Sequence, residues 1–233
     1  MKIAVISLPE INPGKHNIKD SRLDEVDKLV GAKKKTYAQV EAAGEGGLAE
    51  AEAILAAADC RADLILRDLE FCEARLSRSE SAEEKALLAR IKAGLEKEQF
   101  ISALGLTAQE CSLIAGFGLL TLKPVVLAQA QEAQDLNALL QRCLREAGYI
   151  SFFTSGERET RAWLIKKGAT AWEASGAVHS DIQKGFIRAE IISYADFIGC
   201  GGETPAKQAG KMRLEAKDYV MRDADWANFR FSK

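Results

Sequence analysis

The dipeptide Gly14-Lys15 is the first place in this chain where chemistry could gather. A phosphate-binding loop of the form G-x-x-x-x-G-K-[ST] needs glycines so that backbone N–H groups can approach the phosphates. It needs lysine to neutralise them and a hydroxyl to hold Mg²⁺. Counting back from Gly14, the first glycine position holds Pro9, which offers no N–H, and the hydroxyl position holds His16. His16 and His179 are the two histidines of the chain, and neither has a partner at metal-ligand spacing, so no metal site is expected. His179-Ser180-Asp181 does not make a nucleophilic triad, because adjacent residues do not set that geometry by spacing. The structural reading of His179 is a ring bonded to a neighbouring backbone group, and the functional one is recognition. Five cysteines form no CxxC pair, which points to reduced thiols in the cytoplasm, used as small apolar residues. The basic residues Arg158, Arg161, Lys166, Lys167, Lys184, Arg188, Lys211 and Arg213 are interleaved with Phe152, Phe153, Trp163 and Phe186. Such a set suits RNA phosphates and base stacking, or is a solvated face over an aromatic core.

The elements that must hold these residues change character along the chain. Of sixteen aromatic residues, twelve lie at or after Tyr149, and the part before it is rich in Ala, Leu and Glu. From Gly148 onward 13 Lys/Arg face 11 Asp/Glu, while the rest carries 19 against 23. A net charge of −2 excludes strong indiscriminate nucleic-acid binding and leaves room for a local basic face. No apolar run approaches the roughly 20 residues a membrane helix needs.

Lys2 to Leu8 and Lys123 to Ala128 read as buried strands, and Asp20 to Val30, Gly47 to Ala58 and Ala133 to Ala147 as helices. Ala62, Ile65, Leu69, Cys72 and Leu76 step by 3 and 4 along a helix from Arg61. Ser81 with Glu84 has capping-box spacing and opens a second seamed helix through Leu88, Ile91 and Leu95, so an antiparallel helical hairpin is expected over about 61–99. Thr107 with Glu110 opens another helix through Leu113. After Gly148, strands are expected at 150–154, 162–165, 188–192 and 228–231, with a helix at 170–178. The domains are accordingly 1–147 and 148–233, and the class is α+β.

At this point the residues resemble a known family. Phe152-Phe153-Thr154-Ser155-Gly156-Glu157, Arg161-Ala162-Trp163, Lys166-Lys167-Gly168 and Val178-His179-Ser180-Asp181 resemble the C-terminal TGS-like domain of the YchF family. So do Gly185-Phe186-Ile187-Arg188-Ala189-Glu190, Gly201-Gly202-Glu203, Lys217-Asp218-Tyr219-Val220 and Phe229-Arg230-Phe231. Arg22-Leu23-Asp24, Asp63-Leu64-Ile65-Leu66 and Lys123-Pro124-Val125 resemble islands of its nucleotide domain and helical arm. The resemblance implies a shortened remnant of a P-loop α/β domain with the hairpin, followed by a ubiquitin-like β-grasp domain.

It also implies where nucleotide chemistry would sit. The family's Asp-x-Ala-Gly is matched by Glu41-Ala42-Ala43-Gly44, and its Asn-Val-x-Glu by Gln129-Ala130-Gln131-Glu132. Glu is one methylene longer than Asp, and Gln129 reaches an adenine edge from a shifted position. With the loop, the Mg²⁺ residue and the base-reading segment all altered, hydrolysis is not expected, because phosphoryl transfer depends almost wholly on positioning. The expected function is therefore a non-hydrolysing, cytoplasmic module that binds the ribosome, RNA or a translation-linked protein. Neither DNA specificity nor membrane contact is expected, and no cofactor. Its contact residues would be Arg158, Arg161, Lys166, Lys167, His179, Lys184, Phe186 and Arg188. The alternative is a residual ATP- or GTP-binding protein, weak and Mg²⁺-dependent, using Gly14, Lys15, Glu41, Gly44, Gln129 and Glu132. A helix beginning after Lys15 would favour that alternative, and Asn17 to Asp20 is a poor start for one.

Overall fold

The computed structural model describes residues 1–129 and 131–232. In chain order the elements are β1 (Lys2–Ile6), β2 (Gly14–Ile18), α1 (Ser21–Val30), β3 (Lys35–Thr36), β4 (Ala38–Ala43), β5 (Ala53–Ala57), α2 (Arg61–Leu76) and α3 (Ala82–Leu95). They continue with α4 (Ala108–Ile114), β6 (Val125–Ala128), α5 (Leu136–Glu146), β7 (Tyr149–Ser155), β8 (Thr160–Lys166), α6 (Ala171–Val178) and α7 (Ser180–Lys184). Then come β9 (Phe186–Ile192), α8 (Tyr194–Cys200), α9 (Glu203–Gln208), β10 (Arg213–Glu215) and β11 (Trp226–Phe231). Among the described residues no helix is long and apolar enough to cross a membrane.

The chain divides into two compact units. Met1–Lys15 and Glu41–Ala147 make the first, and His16–Val40 joins the chain from Gly148 onward in the second. The expected break near Gly148 is thus accompanied by an exchange of the segment 16–40. The physical reason is the apolar face of α1. Leu23 and Val26 are fully buried, in one cluster with Phe153, Ala162, Ile192, Phe197 and Trp226. Asp20 caps the helix by accepting from the Arg22 N–H, and Gly31 closes it in the left-handed conformation at φ 66°.

The first sheet has the order β2-β4-β1-β5-β6, with β1 parallel to both β4 and β5 and β5 parallel to β6. The helix expected over Gly47 to Ala58 is here the strand β5, between short 3₁₀ turns at Glu45–Gly47 and Ala58–Cys60. Ala53, Ile54, Leu55 and Ala56 are fully buried between β1 and β6, so burial on both faces outweighs alanine's helical preference. The helix expected from Ala133 begins only at Leu136, after a 3₁₀ turn. Five residues connect α2 and α3, and Ile65, Cys72, Leu88, Ile91 and Leu95 share a core with Ile114 and Leu119. The seam read from spacing begins a turn too early, because Ala62 is exposed and burial in this core starts at Ile65. Ser81 caps α3, but Glu84 turns to Arg75 (2.6 Å) rather than back to the cap, whereas Thr107 and Glu110 complete a reciprocal box on α4.

The second sheet has the order β10-β9-β11-β7-β8-β3. β7 and β8 are antiparallel, β11 runs parallel to β7 and antiparallel to β9, and β9 pairs antiparallel with β10. Successive strand residues alternate between two buried faces. Phe152, Ala189, Ile191, Ala227 and Phe229 pack under α6, while Phe153 and Trp226 point to the side of α1 and α8. Arg22 fastens α1 there, donating to Asp20 (2.8 Å) and Asp223 (2.7 Å).

Candidate functional site

In the first unit the chain leaves β1 through a loop in which Leu8 and Ile11 are buried and the Ile11 N–H donates to the Leu8 carbonyl at 3.1 Å. This loop and the end of β4 enclose a concavity of about 220 Å³ lined by Val5, Ser7, Leu8, Pro9, Ile11, Pro13, Ala42, Ala43 and Gly44. Ends of parallel strands are where α/β sheets bind ligands. Ser7 holds φ at 54°, an uncommon conformation for a side-chain-bearing residue, at the rim of this hollow. The lining has no ionisable side chain, and two of its residues are prolines without an N–H.

Gly14 stands at φ 128°, which favours glycine, and with the exposed Lys15 it opens the strand β2. The next helix begins at Ser21. A phosphate held at this point would therefore meet no helix N-terminus directly after the lysine. Glu41 pairs in register with Lys2, at the start of β1, and its N–H donates to the Met1 carbonyl at 3.0 Å. Four strand steps, about 13 Å, separate that level from Ile6, where the loop begins. Lys2 is itself bonded to Glu50, which raises its pKa, with Glu41 adding a smaller charge effect. Of the six residues expected around a nucleotide, Gly44 alone lines the concavity.

Gln129 is exposed after β6, and its N–H donates to Glu132 at 2.8 Å. Ala130 lies outside the described residues. The Glu132 carboxylate also pairs with Arg142, and these two partners hold its pKa below the usual carboxylate value, the Gln129 N–H most. Arg142 further donates to the Leu127 carbonyl (2.7 Å) and to Glu146 (2.7 Å). Glu132 is thus bound into the junction between β6 and α5.

In the second unit the expected contact residues separate. Phe152 and Phe153 are fully buried, and Phe186 is half-buried with its ring 6.2 Å from Phe229. His179 caps α7, its Nδ1 accepting the Asp181 N–H at 3.1 Å. Lys184 ends α7, and the exposed Arg188 lies directly across from Arg230. Arg158 sits in the β7–β8 turn, and Arg161 stacks 4.0 Å from the centre of the Trp163 ring. Lys166 lies 3.9 Å from the centre of the Tyr149 ring at the other end of the hairpin, with Lys167 beyond it. Five strand steps, about 17 Å, separate Arg161 from Lys166.

A group that sequence reasoning passed over joins the first of these ends. β3 pairs with β8 in the register Lys35↔Thr160 and Thr36↔Arg161, bringing Lys33, Lys34 and Lys35 beside the turn that carries Arg158. The run of three lysines after Gly31 was the available signal.

Comparison with known proteins bears on both units. Residues 149–232 match a family model described as YchF-GTPase_C, a protein of unknown function (DUF933). A ribosome-binding ATPase YchF of Haemophilus influenzae is 32% identical over 233 aligned positions, covering 73% of this chain and 64% of that protein. The proteins of the same name in Bacillus subtilis and Escherichia coli O157:H7 are 46% and 48% identical over 101 residues, 43% of this chain and 28% of each relative. The chain therefore spans less than two thirds of the length of these relatives. In fold it is similar to the YchF GTPase of Schizosaccharomyces pombe, with a TM-score of 0.78 and 19% identity, covering 99% of this chain and 97% of that one.

Proposed function

The matches support assignment of the chain to the YchF/Obg-like family, and from that premise we propose a non-hydrolysing binding module that contacts the ribosome, RNA or a translation-linked protein in the cytoplasm. The observation that carries this reading is the path of the chain after β1. A strand, Gly14–Ile18, follows where a phosphate loop would need a helix, and the hollow beside it is lined without an ionisable group. Relatives are named for ribosome binding and ATPase activity together. We infer that this chain keeps the first without the second.

The first unit is read as a shortened P-loop domain in which α2 and α3 form an antiparallel hairpin, as a five-residue connection favours. The second is read as a TGS-like β-grasp. The order β8-β7-β11-β9-β10, with a hairpin first, a helix after it and the last strand parallel to the first, supports that reading. Arg158, Arg161, Lys166, Lys167, His179, Lys184, Phe186 and Arg188 remain the proposed contact residues.

Calorimetry with ATP and GTP, with and without Mg²⁺, tests the absence of a nucleotide function. Co-sedimentation with purified ribosomes tests the partner. We expect no saturable nucleotide binding at millimolar concentration, and pelleting with ribosomes. Micromolar binding that disappears in Lys15→Ala would instead establish the residual nucleotide-binding reading.

A further inference from the structure

We infer that the corner where β3 meets β8 is a phosphate-contacting surface for RNA, built from Lys33, Lys34, Arg158 and Arg161. The inference rests on the binding-module reading above and gives it a place on the molecule. Two segments more than a hundred residues apart in sequence are locked side by side here by their backbones. The Lys33 N–H donates to the Glu157 carbonyl (3.2 Å), and the Thr160 N–H donates to the Lys34 carbonyl (2.9 Å). The four cations therefore lie on two segments whose backbones are paired at one edge of the sheet.

Two of the four cations share one carboxylate, and the other two are without one among the described residues. Glu159 accepts from Thr36, lies 3.3 Å from Lys34 and 3.9 Å from Arg161, and has its pKa lowered, by Thr36 most. Lys35 turns away to Asp24 at 2.6 Å. Lys33 and Arg158 are exposed and make no side-chain hydrogen bond or ion pair with another described residue. Glu157 and Glu159 are the carboxylates of the same β7–β8 turn, against the four cations Lys33, Lys34, Arg158 and Arg161. The Arg161 guanidinium lies 4.0 Å from the centre of the Trp163 ring, and an arginine can make the two-point contact that phosphate favours. A group of separate charges fits a repeating polyanion better than a single small anion, and the chain's net charge of −2 does not by itself produce such a group.

The test compares the full chain with Lys33→Glu/Lys34→Glu/Arg158→Glu and with a control, Lys85→Glu/Lys97→Glu/Lys217→Glu, which changes the charge equally at exposed lysines outside the proposed contact residues. Binding to a short RNA stem-loop is measured by anisotropy across a salt series, and ribosome binding by co-sedimentation. The corner variant should bind the RNA about tenfold more weakly, and its log–log salt slope should fall by about two to three, since each lost phosphate contact removes roughly 0.7–0.9. The control should stay near wild type. Lys33→Gln/Arg158→Gln, which adds no repulsion, should show a smaller loss in the same direction. Equal weakening in both charge-reversed proteins, or none in the corner variant, overturns the inference and leaves the module reading standing if ribosomes still bind. Loss of ribosome binding with unchanged RNA binding overturns it in favour of a ribosomal protein as partner. A wild-type chain that binds RNA through this corner but not ribosomes sinks the ribosome reading alone. Binding to neither sinks both.

Discussion

Asp68 illustrates how a single residue holds the first unit together. Its carboxylate is 2% exposed and accepts the N–H groups of Leu120 and Thr121, both at 2.7 Å, and the Thr121 hydroxyl at 2.6 Å. It thereby ties α2 to the turn that precedes β6. Asp68→Ala would strand these donors and should cost about 3 kcal/mol in chemical denaturation. Burial pushes the Asp68 carboxyl above its ordinary 3.8, against the pull of the three donors. The folded state then holds this proton more tightly than the unfolded one, so the stability Asp68 contributes is full below 3.8 and declines as pH rises through the raised value. Asp68→Asn does not titrate, and its stability deficit against wild type should narrow over that rise. A deficit that widens with pH would refute the assignment. The thiols offer a second check. Burial pushes Cys72 up to about 11 and Cys143 up to about 12, whereas Cys111 and Cys200 are half-buried. Mass-spectrometric labelling at neutral pH should modify Cys111 and Cys200 first and Cys72 and Cys143 last.

At the scale of elements, α1 carries the main consequence. The chain before residue 16 and from 41 to 147 lies in the first unit, yet Leu23 and Val26 complete the core of the second, and the Tyr194 hydroxyl, pushed up to about 12 chiefly by Glu25, bonds that carboxylate across from α8 at 2.5 Å. Residues 148–233 alone should therefore lack a cooperative thermal transition by circular dichroism, and fusion to residues 16–40 should restore it. In the full chain Leu23→Ala should cost about 2–5 kcal/mol. That Asp20 to Val30 forms a helix was legible from residues alone. Which core it joined was not, because an apolar stripe specifies burial and not the surface that buries it. The same distinction explains β5. A run of Ala, Ile and Leu reads as helix or as buried strand with equal right until its neighbours are known.

For the molecule as a whole, the nucleotide question becomes one of linkage. A ligand at a hundred times its dissociation constant would add about 2.7 kcal/mol to the state that binds it. Millimolar ATP or GTP should leave the melting temperature of this protein unchanged, and a rise of several degrees that needs Mg²⁺ would count against the proposed loss of nucleotide function.

Several features were determined by local chemistry. The cap at Thr107 and the β7–β8 strands follow from hydrogen-bonding groups and side-chain periods that act within a few residues. The broken spacing around Gly14-Lys15 was equally plain, since Pro9 and His16 occupy its required positions. Tertiary structure decided the rest. It placed Glu41 level with Lys2, bound Glu132 to Arg142, divided the basic residues between two ends of a hairpin and set Lys33 and Lys34 beside Arg158. Register and strand order are set by which apolar faces find each other across long separations, and a charge carried on a strand goes where that pairing puts it.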